Sequence, residues 1–180
     1  MKPNQAIVES GYRVLQGRLA TPDSSGLCLA LTRVVVEDAL FDGKWRFYEW
    51  RTHLVERLPN APKDAMGPVA RDMERSLREA GMAVAVPRKA RHLQPDEMQD
   101  LQPGDILFRW DAARWKWGAE PAFYGHVGIL MPGELVLENI NPAYRAHSFK
   151  LGVNALTPLR HYLVTTAVRF DPTKKPRTNS

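Results

Sequence analysis

The apolar residues of this chain change their spacing once, near Met82, and that change sets the fold class. Before it they recur every three or four residues, as along one face of a helix. After it they gather into short runs bounded by Pro and Gly, as in strands joined by turns. Helices first and antiparallel strands afterwards predict an α+β fold. With 180 residues, 44% of them apolar, the chain can bury the core of one domain, expected over residues 1–170. Residues 171–180 are polar and proline-containing and read as a disordered tail.

Ile7, Val8, Tyr12, Leu15 and Leu19 follow helical spacing and predict an amphipathic first helix over 5–19. A loop rich in turn and N-cap residues, Thr21 to Gly26, precedes a stretch over 27–40 that is apolar almost all round until Glu37 and Asp38. A helix of that kind is central and buried. Shorter helices are expected over 51–58, stopped by Pro59, and over 67–80, where Val69, Met73 and Leu77 repeat and Gly81 ends the run. Strands are expected over 83–86, 105–110, 126–131, 135–139 and 164–170, with Pro132 and Gly133 closing a tight hairpin between the third and fourth.

A net charge of +5 and a pI near 9.5 favour an anionic partner: nucleic acid, a lipid surface or the bacterial wall. Lys and Arg are spread along the chain without the aromatic interleaving of a nucleic-acid reader, so no nucleic-acid partner is expected. Glu9, Arg13 and Arg18 interrupt what would be the apolar core of a secretory signal. The apolar runs fall short of the roughly 20 residues of a transmembrane segment. Synthesis in the cytoplasm, with action elsewhere only after release or export, is the expectation.

The chain's one cysteine, Cys28, opens the apolar second helix, where backbone amides and the helix dipole favour a thiolate. One cysteine cannot form an internal disulfide, and no second one stands near a histidine for a structural zinc site, so no metal or cofactor is expected. A thiolate that attacks an acyl carbon needs a proton shuttle and donors for the oxyanion. His126, at the start of an apolar strand, is the candidate base and acid, and the Cys28 amide is a candidate oxyanion donor. Glu138, twelve residues beyond His126, is the candidate orienter. Glu138 and Asn139 point to opposite faces of a strand, so only one can meet His126, and the alternation favours Glu138.

Asn139 and Asn141 remain candidates for orienting the imidazole or touching substrate. Trp110, Trp115, Trp117, Phe123 and Tyr124 lie between two motif strands. Of these, Trp110 and Tyr124 are candidate substrate-binding residues, against a plain packing role for Trp110. Asp105 reads as the cap of the turn before its strand. His53, His92 and His161 have no comparable strand-start context, and His147 is a reserve base. The plain alternatives are a core thiol at Cys28, a satisfied core histidine at His126, and a surface carboxylate at Glu138 paired with Arg145.

These residues and their surroundings resemble the papain-like cell-wall hydrolases of the NlpC-type and CHAP families. Gly26-Leu27-Cys28, opening a long helix, looks like the CHAP nucleophile segment. Pro103-Gly104-Asp105-Ile106-Leu107-Phe108 is similar to the families' turn and first core strand, and Gly125-His126-Val127-Gly128-Ile129 to the strand carrying the base. Leu137-Glu138-Asn139 supplies a third polar residue at the families' usual distance. The resemblance runs from residue 26 to about 141, interrupted between 41 and 99. Leu27 and Leu29 replace the aspartate and serine that flank the NlpC-type cysteine, so the CHAP-like variant fits better. The resemblance implies a cysteine amidase or peptidase that cuts amide bonds in peptidoglycan, such as a phage lysin or exported effector. It also implies a papain-like fold, a central helix carrying the cysteine at its N-terminus on an antiparallel sheet, with additional N-terminal helices. A cysteine acyltransferase or amidase acting on a lipid or small amide, and a catalytically silent binding module of the same fold, are the alternatives.

Overall fold

The structure, a computed structural model, describes residues 3–19, 28–41, 83–85, 93–109, 126–139, 154–162, 164 and 166–170. The helices expected over 51–58 and 67–80 and the tail after 170 lie outside the described residues. Helix α1 spans Pro3–Leu15 and α2 spans Cys28–Phe41. The strands are β1 Ala83–Ala85, β2 Ile106–Arg109, β3 His126–Met131, β4 Leu135–Asn139, β5 Asn154–Pro158 and β6 Thr166–Phe170. They form one sheet in the order β1-β6-β2-β3-β4-β5, every neighbouring pair antiparallel. Among the described residues, two α-helices and an antiparallel sheet make an α+β arrangement.

The first helix stops at Leu15, four residues short of the expectation. Gly17 takes φ 68°, and the amides of Gly17 and Arg18 turn back to the carbonyls of Val14 and Arg13 at 3.0 and 2.8 Å. That is a Schellman cap, which the left-handed conformation of a glycine makes easy. Ile7, Ser10, Gly11 and Val14 form the buried stripe of α1, whereas Tyr12, expected on that stripe, is 41% exposed. On α2 the buried residues are Leu31, Thr32, Val35 and Val36, and the Thr32 hydroxyl donates to the Cys28 carbonyl at 3.1 Å. Asp38 joins the helices by accepting from Ser10 at 2.6 Å and from Arg13 at 2.8 Å.

The alternation of each strand divides the core in two. Ile106, Phe108, Val127, Ile129, Met131, Leu137, Val168 and Phe170 pack against Ile7 and Val14 of α1 and Leu31, Val35 and Val36 of α2. Leu107, Leu130, Val136 and Ala167 form the opposite face, covered by Leu93, Tyr162 and Val164. Strands β3 and β4 have the bounds expected from the sequence, but a turn of Pro132, Gly133 and Glu134 joins them rather than a two-residue one. Gly133 and Glu134 both take positive φ, 78° and 56°. Strand β5 was not expected at all.

Asp105 ends the proline-glycine turn and is wholly buried. It accepts from the Gln102 amide at 2.8 Å, from the Asn4 side chain at 3.1 Å and from Arg169 at 2.8 and 2.7 Å. The cap expected from the sequence is therefore also a clamp, tying α1, the turn and β6 together.

Candidate active site

Register brings the first two site residues together. Ile129 of β3 faces Leu137 of β4, and Leu130 faces Val136, so continuing that ladder places Gly128 opposite Glu138. His126 and Glu138 are then diagonal neighbours on one face, within reach of each other across the strands. Gly128 keeps the space around them narrow: a Cβ there would stand 2.6 Å from Val136 Cγ1 and 3.3 Å from the Tyr162 hydroxyl. His126 Nε2 meets Glu138 Oε2 at 2.6 Å, a charge-assisted hydrogen bond in length.

Glu138 is 3% exposed, and its second oxygen, Oε1, accepts from the Thr157 hydroxyl of β5. A buried carboxylate is tolerable only when its oxygens are satisfied, and here both are. The surface reading of Glu138 is thus overturned by burial between β3 and β5. Asn139 faces the helix layer, as alternation requires. It is 5% exposed, and its Oδ1 is buried without a hydrogen-bond partner among the described residues.

Tyr162 packs against the imidazole, ring centroids 5.7 Å apart at 38°, and donates its hydroxyl to the Leu107 carbonyl at 3.3 Å. Burial pushes its phenol well above the ordinary range, and the negative charges of Glu138 and Cys28 push it further, with Arg109 opposing. The phenol therefore stays protonated beside the imidazole.

Cys28 is half-buried at the first residue of α2 and interacts with His126 as a hydrogen-bond partner and as a negative charge. Burial lowers the pKa of the imidazole, but the hydrogen bonds to Cys28 and Glu138 and their charges outweigh it, raising the group from 6.5 to about 9. With Nε2 given to Glu138, Nδ1 is the ring nitrogen left for the sulfur. A protonated ring can donate to both partners at once. A thiol, an imidazole and a carboxylate in this sequence can carry a proton from sulfur to nitrogen and on to a leaving group.

Cys28, His126 and Glu138 thus come together, while Asn139 lies on the other face from Glu138. Trp110 and Tyr124 lie outside the described residues, as do Asn141, Trp115, Trp117, Phe123, His53, His92, His147 and Arg145. His161 is exposed and its ring accepts from Arg160 at 3.2 Å, away from a site role. Thr157 and Tyr162 are additions that the sequence did not single out. Thr157 sits between two exposed residues, Leu156 and Pro158, and Tyr162 stands in no periodic pattern.

Among the described residues no helix is long and apolar enough to cross a membrane, and no group of three or more His, Cys, Asp and Glu can hold a metal ion. No protein-family model matches the chain, and neither a curated protein nor a solved structure matches it.

Proposed function

We propose that the protein is a papain-like cysteine hydrolase that cleaves amide bonds in peptidoglycan, with Cys28 as nucleophile, His126 as proton shuttle and Glu138 as orienter. The observation that carries this reading is the imidazole held between thiol and buried carboxylate, with its pKa raised to about 9. At neutral pH a ring with that pKa carries a proton that it can deliver to a leaving group. Helix α2, opening at Cys28 and packed on the antiparallel sheet, supports the papain-like assignment. The order of motifs and the net charge of +5 support an anionic wall polymer as substrate.

In this reading the Cys28 thiolate attacks the amide carbon, and the carbonyl π pair moves to oxygen. The Cys28 backbone amide, with no intrahelical acceptor in the first turn of α2, would donate to that oxyanion. Collapse breaks the C–N bond as the His126 imidazolium protonates the departing nitrogen, leaving a thioester and a neutral imidazole. Water then attacks the thioester while His126 takes one of its protons. The C–S bond breaks, the acid leaves, and the thiolate–imidazolium pair is restored. Glu138 holds the Nε2 proton throughout and keeps the ring turned toward the sulfur.

The test is lysis of purified cell walls, with mass spectrometry of the soluble products. Wild type is expected to release fragments with new amine and carboxyl ends, and folded Cys28→Ala to release none above background. Undiminished fragment release by Cys28→Ala would overturn the assignment, and an acylated acceptor in place of new carboxyl ends would move the protein to acyl transfer.

A further inference from the structure

Strand β2 ends at Arg109, and the register sets it directly opposite His126 on β3. Paired residues of adjacent antiparallel strands present their side chains on the same face, with Cβ atoms about 5 Å apart. Arg109 is a half-buried residue, and its positive charge is felt by Tyr162, whose ring in turn packs 5.7 Å from the imidazole. Other arginines of the structure hold acids: Arg13 meets Asp38 at 2.8 Å, Arg33 meets Glu37 at 3.4 Å and Arg169 meets Asp105 at 2.7 Å. Arg109 has no such carboxylate among the described residues.

A charged side chain on a half-buried residue with no carboxylate partner is poorly compensated, and a second cation across the ladder makes the position costlier. That cost is recovered when an anion enters. The planar fork of arginine suits a carboxylate, which it can grip through two parallel hydrogen bonds.

We infer that Arg109 is an anion-binding residue of the site and reads a free carboxylate on the substrate next to the scissile amide. The inference rests on the proposed thiol chemistry at Cys28 and narrows its substrates to amides that carry a neighbouring carboxylate. Such a group, clamped on β2 beside His126, would fix the amide relative to the sulfur and exclude analogues in which it is amidated. The carboxylate would stay unchanged, serving as a handle and taking no part in bond making.

Alkylation of the chain's single cysteine separates the two levels of the argument. Iodoacetate and iodoacetamide undergo the same reaction: the thiolate sulfur displaces iodide, a C–S bond replaces the C–I bond, and only the first reagent carries a carboxylate. The measurement is the ratio of their second-order rate constants at Cys28 in wild type, Arg109→Gln and Arg109→Lys. The expected result is a ratio that falls about fivefold in Arg109→Gln, falls less in Arg109→Lys, which keeps the charge but not the fork, and shrinks with added salt. A ratio unchanged by Arg109→Gln overturns the inference, whatever the absolute rates. If neither reagent labels wild-type Cys28 faster than a thiol in a short peptide, the nucleophile assignment fails instead, and the ratio still reports on Arg109.

Discussion

Two buried carboxylates on this sheet are paired with cations, and they are paired differently. Asp105, wholly buried, is held by Arg169, by Asn4 and by a backbone amide. Glu138, nearly as buried, is held by His126 and Thr157. Arg169 cannot discharge; its hydrogen bonds to Asp105 hold its pKa above an already high value. His126 can discharge, at about 9. One pair therefore fastens α1, a turn and β6 together at every ordinary pH. The other keeps a proton in a place from which it can move.

The sharpest way to break that contrast is to remove the movable proton. His126→Ala is expected to lower kcat/KM on wall substrate by about a thousandfold or more, measured by the rate of fragment release. Asp105→Asn should leave the activity of the folded fraction near that of wild type, because Asp105 touches none of the reacting groups. In stability the order reverses. Asp105→Asn leaves a permanent cation facing an amide and is expected to cost about 2–3 kcal/mol in urea unfolding, the low end for a broken buried pair because Arg169 is 29% exposed. That loss should be the same at pH 6 and pH 9.5.

Glu138→Gln is the matched change at the other pair. Its partner can shed the proton, so the expected effect on urea unfolding is smaller than that of Asp105→Asn. The midpoint of His126, followed by NMR of the ring protons, should move down from about 9 because one of its two negative partners is gone. Activity should drop about tenfold or more, as an imidazole that has lost its orienting carboxylate is turned and protonated less reliably. A His126 midpoint unmoved in Glu138→Gln would mean that the short Nε2–Oε2 contact carries no electrostatic weight.

The smallest expected effect is on stability against pH in the wild-type protein. The unfolded chain releases the histidine proton near 6.5, and the folded chain keeps it to about 9. For His126 taken by itself, unfolding between those values releases a proton, so its contribution is complete below 6.5 and is lost as the pH rises toward 9. Thermal midpoints at pH 6, 7.5 and 9 should fall in wild type and show less of that fall in His126→Ala.

The hairpin of β3 and β4 was legible in the sequence because both strands are buried along their length and a Pro-Gly turn separates them. That hairpin carries His126 and Glu138, so the core of the site was legible with it. Asn139, adjacent to Glu138, was separated from it by alternation alone. The rest was hidden for identifiable reasons. Strand β5 lies at the sheet's edge, with Leu156 42% exposed and Pro158 at its end, so it shows no apolar period from which to recognise it. Its pairing with β4 is what makes it a strand. Gly17 reads as an ordinary residue of an amphipathic pattern until its positive φ closes α1. Arg109 and Tyr162 acquire meaning only from what the register places beside them.

Among the described residues strand β5 is bonded on one side only, to β4, yet it supplies the hydroxyl that satisfies the outer oxygen of Glu138. Edge strands open locally at lower free energy than the centre of a sheet. An opening of β5 would remove the Thr157 donor from Glu138 while leaving the rest of the sheet in place. In the proposed enzyme, turnover would be the intrinsic rate multiplied by the fraction with β5 closed. Warming would erode that fraction before the fold itself gives way, and activity would be lost at a temperature where α1, α2 and the Asp105 clamp are still in place.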